Sequence, residues 1–221
     1  MTEVVVVPDA AAGGELAADA ILAAVAARPD AVLGLATGST PLPVYRALAT
    51  RIARDRVDVG RVRAFALDEY VGLPPGHPQS YRAVIAREVT EPLGLDPRLV
   101  HVPDGDPDRA RTAGEEYERA IDAAGGVDVQ LLGVGTDGHL GFNEPGSSFA
   151  SRTRVKTLTE RTRRDNARFF ETPDEVPVHC VTQGLGTILR ARHLLLLAFG
   201  AAKAAAIAAA VEGPLTAGHP A

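Results

Sequence analysis

The sequence holds a single cysteine, Cys180, so no disulfide can form within the chain, and a reducing cytoplasm is the compartment this suggests. Tryptophan is absent and aromatic residues make up only 5% of the chain, which removes the stacking platforms that single-stranded nucleic acid needs. Positive charge is not in excess: 23 Lys and Arg stand against 28 Asp and Glu, for a net charge of -5 and a pI near 5.7. That is the opposite of a nucleic-acid footprint. Long hydrophobic runs are also missing. The longest apolar stretch, Ala201 to Val211, is interrupted by Lys203 and is too short to span a bilayer. No basic segment precedes an apolar core at the N-terminus, so no secretory signal is expected. Neither nucleic acid nor a membrane is therefore an expected partner. What is present is a chain of 221 residues, 46% hydrophobic and 23% charged, the balance and length of one globular domain.

The hydrophobic period switches repeatedly between short apolar runs and longer amphipathic stretches. Strands are predicted at Glu3–Val7, Ala31–Ala36, Arg63–Leu67, Leu99–Val102, Val127–Val134, Arg154–Leu158, Pro177–Thr182 and His193–Phe199. Helices are predicted at Glu15–Ala27, Pro41–Ala53, Ser80–Leu93, Asp108–Ala124, Arg161–Phe170, Leu185–Leu189 and Ala202–Val211. Several strands are apolar on both faces, the composition of a parallel strand covered by helices on each side. The expected fold is an α/β doubly wound, mostly parallel open sheet with helices on both faces, Rossmann-like, in a single domain spanning 1–221.

Ligands of such sheets bind beyond the carboxyl ends of the strands. Three strand ends carry unusual chemistry. In Thr37-Gly38-Ser39-Thr40-Pro41, Gly38 permits a tight turn, Thr40 suits an N-cap and Pro41 a first helical position. Exposed amides, hydroxyls and the helix dipole would make an anion site there, although an ordinary capped turn reads the same way. Asp68-Glu69-Tyr70 puts adjacent acids after a strand, either a general base or a capping pair. The third segment runs from Gly133 to Pro145 and contains Asp137, His139 and Glu144. Its literal GxGxxG follows a late strand and opens a Gly/Asn/Pro loop rather than a helix, which argues against a dinucleotide. Carboxylates on either side of an imidazole can fix its tautomer and raise its basicity. The spacing fits no standard zinc pattern. His77, His101, His179, His193 and His219 are scattered and read as solvated, capping or core residues, and Cys180 as a buried, inert thiol.

Together these segments resemble the glucosamine-6-phosphate deaminase family. The resemblance rests on Leu35–Pro41, on Leu67–Leu73 with His77-Pro78 and Ser80-Tyr81, and on Gly133–Pro145. It continues through Ser151–Thr157, Asn166–Phe170 and Val211-Glu212-Gly213. It implies a cytoplasmic, cofactor-free and metal-free enzyme, classed as a hydrolase or isomerase of amino-sugar catabolism and N-acetylglucosamine utilisation. Such an enzyme turns glucosamine 6-phosphate into fructose 6-phosphate and ammonia. By the same resemblance Asp68 is the base at C2 and His139 opens the sugar ring, with Asp137 and Glu144 orienting it. Gly38, Ser39, Thr40, Arg168 and Lys203 would bind the phosphate, with Arg168 on a lid over Thr159–Phe170. The alternatives for Arg168 and Lys203 are a solvated helix and a solvated lysine. Ser148, Arg154 and Lys156 match an allosteric site for N-acetylglucosamine 6-phosphate, a solvated basic strand being the alternative. The family includes monomers and hexamers, which leaves a homo-oligomer open. Its members continue past Gly213 with another strand and helix, which implies that this chain lacks the last elements. The competing reading on the same fold is 6-phosphogluconolactonase. Glu69-Tyr70 after Asp68, and Leu-Gly-Phe-Asn-Glu-Pro after His139, favour the deaminase.

Overall fold

A computed structural model describes residues 2–221. Helix α1 (Ala10–Ala27) opens the fold, capped by Asp9, whose side chain accepts from the Ala12 amide at 2.8 Å. It begins earlier than its periodicity predicts because Gly13-Gly14, poor helix formers, allow a close approach. A Cβ on Gly14 would stand 2.7 Å from the Pro43 backbone of the next helix. By length and composition α1 could cross a membrane. Here its Ala17, Ala18, Ile21 and Val25 are buried in the main core.

Five parallel strands form the central sheet: β1 (Val32–Leu35), β2 (Arg63–Ala66), β4 (Val100–His101), β5 (Val129–Gly133) and β8 (His193–Leu197), in the order β4-β2-β1-β5-β8. On one face α1 and α2 (Leu42–Asp55) pack with Leu33, Leu48, Ala64 and Leu131; on the other, α5 (Ala110–Ala123) packs Tyr117 and Ile121 against Val32 and Phe65. Burying a side chain such as Leu48 or Phe65 contributes roughly 1.5–3 kcal/mol. The doubly wound expectation holds.

The sheet order reverses between β1 and β5, which opens a crevice beyond their carboxyl ends. Buried tyrosines fix the strand ends nearby. Tyr45 of α2 donates to the Ala36 carbonyl at 2.7 Å and accepts from the Ala36 amide at 3.1 Å. Tyr117 donates to the Ala66 carbonyl at 2.7 Å, two residues before Asp68.

Two expectations are corrected, and one segment gains a strand that was not predicted. Glu3–Val7 is not a strand: Val4, Val5 and Val6 are exposed, and no neighbouring strand offers the run a ladder among the described residues. Thr40 is not the N-cap of α2; the cap is Pro41, with no side-chain hydrogen bond, and the helix starts one residue later. Asp68-Glu69-Tyr70, read from the sequence only as acids following a strand, forms a strand of its own, β3 (Asp68–Tyr70). It leaves the central sheet to join a three-stranded antiparallel sheet in the order β3-β7-β6, with β6 at Arg154–Thr157 and β7 at His179–Thr182. The remaining helices are α3 (Tyr81–Ile85), running through a π-helical turn into α4 (Glu91–Leu93), then α6 (Glu160–Asn166), α7 (Leu185–Ile188) and α8 (Ala204–Glu212).

Candidate active site

The loop after β5 folds back on itself. Gly135 N donates to His139 O at 2.9 Å and Gly138 N to Gly135 O at 3.1 Å. The His139 ring lies over Gly135, where a Cβ would fall within 2.2 Å of Nδ1. The closure brings His139 Nδ1 to 2.7 Å from Asp137 Oδ1, with Glu144 Oε2 at 4.0 Å. A carboxylate only accepts, so Nδ1 carries the hydrogen and Nε2 is the nitrogen left to exchange protons. Burial pushes the Asp137 carboxyl up, but the charge and hydrogen bonds of His139 outweigh it and hold the acid below the usual aspartate value.

Glu144 points its other oxygen at Thr159–Phe170, the segment that the family resemblance reads as a lid. Thr159, the N-cap of α6, and Thr162 both donate to Glu144 Oε1. Asn166 Nδ2 donates to Tyr70 Oη at 2.9 Å, and Arg161 to Thr136 Oγ1. The segment thus bridges the His139 loop and β3 through its own side chains.

Asp68 approaches the same loop from the antiparallel sheet. It is 5% exposed, and burial, with Glu69 nearby, pushes its carboxyl up to about 8. Gly141 makes the approach feasible: it takes a left-handed φ of 57°, and a Cβ there would stand 3.2 Å from Asp68 Oδ2 and 3.1 Å from Thr182 Oγ1. The contact is braced by residues for which the sequence suggested no role. Thr182 Oγ1 accepts from the Phe142 amide. The fully buried Asn143 donates to the carbonyls of Leu140 and Gln183 at 2.9 and 2.8 Å. Gln183 in turn donates through Nε2 to Ala66 O, and its amide donates to Leu67 O. The loop that carries His139 is in this way tied to the strand junction that carries Asp68. Asn143 stands inside the motif, but its partner at 183 is visible only in three dimensions.

Glu69 is a cap, not a second base. Its carboxylate accepts from the amides of Tyr70 and Tyr81 at 2.8 Å and of Arg82 at 2.9 Å, at the start of α3. Burial raises its carboxyl above the ordinary value, and those donors offset part of the rise. Glu69→Ala strips these amides of their acceptor. We expect a loss of about 1–3 kcal/mol in a denaturant titration, with proton abstraction at Asp68 retained.

The turn at 37–41 faces the same crevice. Gly38 is left-handed, Ser39 is exposed, and Thr40 Cβ stands 3.7 Å from where a Cβ of Gly133 would lie. Lys203 is half-buried in a 3-10 turn (Ala201–Lys203) between β8 and α8. Arg168 is exposed and its guanidinium lies 4.7 Å from the centre of the Phe169 ring. Arg154 and Lys156 are half-buried on β6. Register pairs Arg154 with Thr182 and Thr182 with Asp68, so the two cations share a sheet face with Asp68. Ser148 is exposed, its hydroxyl accepting from the Ala150 amide. Cys180 is fully buried and its thiol is pushed up by burial, consistent with an inert role.

Asp137, His139 and Glu144 each bring a donor atom within 4.8 Å of the others, close enough to surround a metal ion. In this geometry Nδ1 is already committed to Asp137, and one oxygen of Glu144 to two threonines. A metal held through Nδ1 would have to displace the bond to Asp137.

A crevice at the switch point, a buried acid at the junction of the two sheets and an imidazole held by a carboxylate suit an α/β enzyme that moves protons. The chain belongs to the glucosamine-6-phosphate isomerase/6-phosphogluconolactonase family, whose profile matches residues 9–221. Among its relatives, a glucosamine-6-phosphate deaminase of Bifidobacterium longum subsp. infantis is 59% identical over 100% of this chain and 85% of its own length. One of Streptomyces avermitilis is 60% identical over 99% of this chain and 84% of its own. A solved structure of a monomeric glucosamine-6-phosphate deaminase superposes with a TM-score of 0.96 at 37% identity, covering 99% of this chain and 91% of that one. The 6-phosphogluconolactonase of Trypanosoma brucei shares the fold at a TM-score of 0.75 and 20% identity, over 97% of this chain and 88% of its own.

Proposed function

We propose that this enzyme is a glucosamine-6-phosphate deaminase. The observation that carries the reading is the identity of about 60% with deaminases along almost the whole chain, against 20% with the lactonase. The site chemistry agrees. Ring opening moves a proton between the ring oxygen and the anomeric hydroxyl, a task suited to His139 Nε2 while Asp137 holds Nδ1. Asp68 takes the C2 proton of the open chain and a proton is returned to C1. The C1 aldehyde is thereby reduced as C2 is oxidised to an imine. Water then hydrolyses the imine to the ketone and ammonia. Isomerisation is the chemical core, and the one water consumed for each ammonia released accounts for a hydrolase label. Amino-sugar catabolism in the cytoplasm is the setting that suits this reaction, including use of N-acetylglucosamine once its acetyl group is removed.

The test is ammonia release from glucosamine 6-phosphate beside hydrolysis of 6-phosphogluconolactone. Ammonia release at a rate unchanged by chelator supports the proposal. Lactone hydrolysis without ammonia moves the assignment to the lactonase, and chelator-sensitive deamination overturns the metal-free chemistry.

The phosphate is assigned to the Gly38–Thr40 amides and hydroxyls and to Lys203, with Arg168 brought in from the lid. A dianion needs several convergent donors. Removing one charged partner costs roughly 2–5 kcal/mol of binding. Lys203→Ala is therefore expected to raise KM far more than Lys203→Arg, and equal KM values for wild type and Lys203→Ala would remove Lys203 from the site.

A further inference from the structure

Residues 216–221 lie against the His139 loop at both of its ends. At one end, Ala217 O accepts from the Gly146 amide at 2.7 Å, just beyond Glu144. At the other, the His219 ring rests on Gly138, the residue between Asp137 and His139. A Cβ on Gly138 would stand 2.8 Å from His219 Cδ2, 3.0 Å from Nε2 and 3.2 Å from Cγ. Gly138 has φ 87°, so the turn that aims Asp137 at His139 passes through a left-handed residue with no side chain of its own to anchor it.

The segment is itself held in place. His219 N donates to Thr216 O at 3.0 Å and Gly218 N to Thr216 Oγ1 at 3.3 Å. Pro220 is buried, and Ala221 packs on the cluster that includes Val134 and Leu140, the residues flanking the turn. His219 Nε2 is buried without a hydrogen-bond partner among the described residues. The ring therefore acts on the turn through its flat apolar bulk, not through a polar bond.

We propose that His219 is a positioning residue for His139: its imidazole, braced by the 216–221 segment, presses on Gly138 and keeps Asp137 within hydrogen-bond reach of Nδ1. The proposal rests on the reading of His139 as a proton carrier. Its geometry is nevertheless measurable in the free protein.

The experiment compares His219→Ala with His219→Phe, which keeps a flat ring over Gly138 and discards both nitrogens. In each variant the tautomer of the His139 imidazole is read from its ring nitrogen shifts by NMR, and kcat and KM are measured with glucosamine 6-phosphate. Asp137 accepts from Nδ1–H and so holds that tautomer, and loosening Asp137 lets the Nε2–H tautomer appear in His219→Ala. Misplacement of a catalytic group by a fraction of an ångström to an ångström lowers kcat by roughly 10–100-fold, with KM nearly unchanged. His219→Phe should restore both readouts. A His139 tautomer signature in His219→Ala that coincides with wild type overturns the proposal, as does a phenylalanine variant that behaves like alanine. If the alanine variant does not fold, His219→Leu takes its place with the same two outcomes. A changed tautomer signature in a protein that releases no ammonia would leave the positioning role standing and count against the deaminase reading alone.

Discussion

Asp68→Asn is expected to abolish ammonia release and, with it, exchange of the C2 proton with solvent. A general base typically contributes about 10²–10⁴-fold, and an amide cannot take the proton. The group works only when ionised, yet burial beside Glu69 raises its carboxyl to about 8. The rate at low substrate, which reports the free enzyme, should therefore climb with pH through about 8. A substrate ammonium at C2 brings positive charge beside the carboxylate. It favours the ionised form, so the corresponding limb of kcat should lie at lower pH. Stability carries the opposite slope. The folded state keeps the Asp68 proton up to about 8, while the unfolded chain releases it near 3.8. The stabilisation this proton linkage contributes is fully present below 3.8 and is lost as pH rises through about 8. Between those values the stability of Asp68→Asn relative to wild type should rise with pH, read as a growing difference in Tm. If Asp68→Asn still exchanges the C2 proton at the wild-type rate, the base lies elsewhere. Glu69 is a poor substitute, because its carboxylate is committed to amides at the start of α3.

How this site assembles explains which parts of it the sequence could disclose. The parallel sheet was legible because short, largely apolar runs such as Val127–Val134 alternate with helices such as Asp108–Ala124, and their period does not depend on distant partners. Of the antiparallel sheet only β6 and β7 were legible, as the strands Arg154–Leu158 and Pro177–Thr182; β3 and the pairing of the three were not. Its strands are only 3 or 4 residues long, and Asp68 meets Thr182, and Thr182 meets Arg154, across large separations in sequence. Glu3–Val7 shows the converse failure. A β-branched run fits a pleated surface, but without a neighbouring ladder the same residues remain extended and exposed. The ionisable residues of the 137–144 loop were legible because they are close in sequence and the glycines around them force the chain to fold back. Glu69 was ambiguous between base and cap, and only its three amide donors decide the matter. Asn143, Gln183 and Tyr117 left no signal of their role. Each acts by hydrogen-bonding a carbonyl that is near only after folding. His219 is the sharpest case: as one of several scattered histidines it suggested no role, and its contact with Gly138 exists only through the tertiary path of the last residues.

His139→Gln should fail at a different step from Asp68→Asn. Glutamine can keep a donor near Asp137 Oδ1, so the loop need not collapse, but no titrating nitrogen remains at the Nε2 position to pass a proton between the ring oxygen and the anomeric hydroxyl. On cyclic glucosamine 6-phosphate the loss is expected at about 10²–10⁴-fold, the ordinary contribution of one acid–base group. An analogue that cannot cyclise bypasses that step. Asp68 is buried in a separate sheet and held against Gly141 by the loop backbone, not by the imidazole. C2 exchange on the open analogue should therefore survive in His139→Gln and vanish in Asp68→Asn. The two variants also separate in their pH dependence. With His139 replaced, the limb near 8 that belongs to Asp68 should persist on the open analogue, because its causes, burial and Glu69, are untouched. Loss of C2 exchange on the open analogue in a folded His139→Gln protein would show that the histidine also serves the carbon-acid step. The division of labour between a ring-opening imidazole and a buried base would then give way to a single proton relay running from Asp137 through His139 to the substrate.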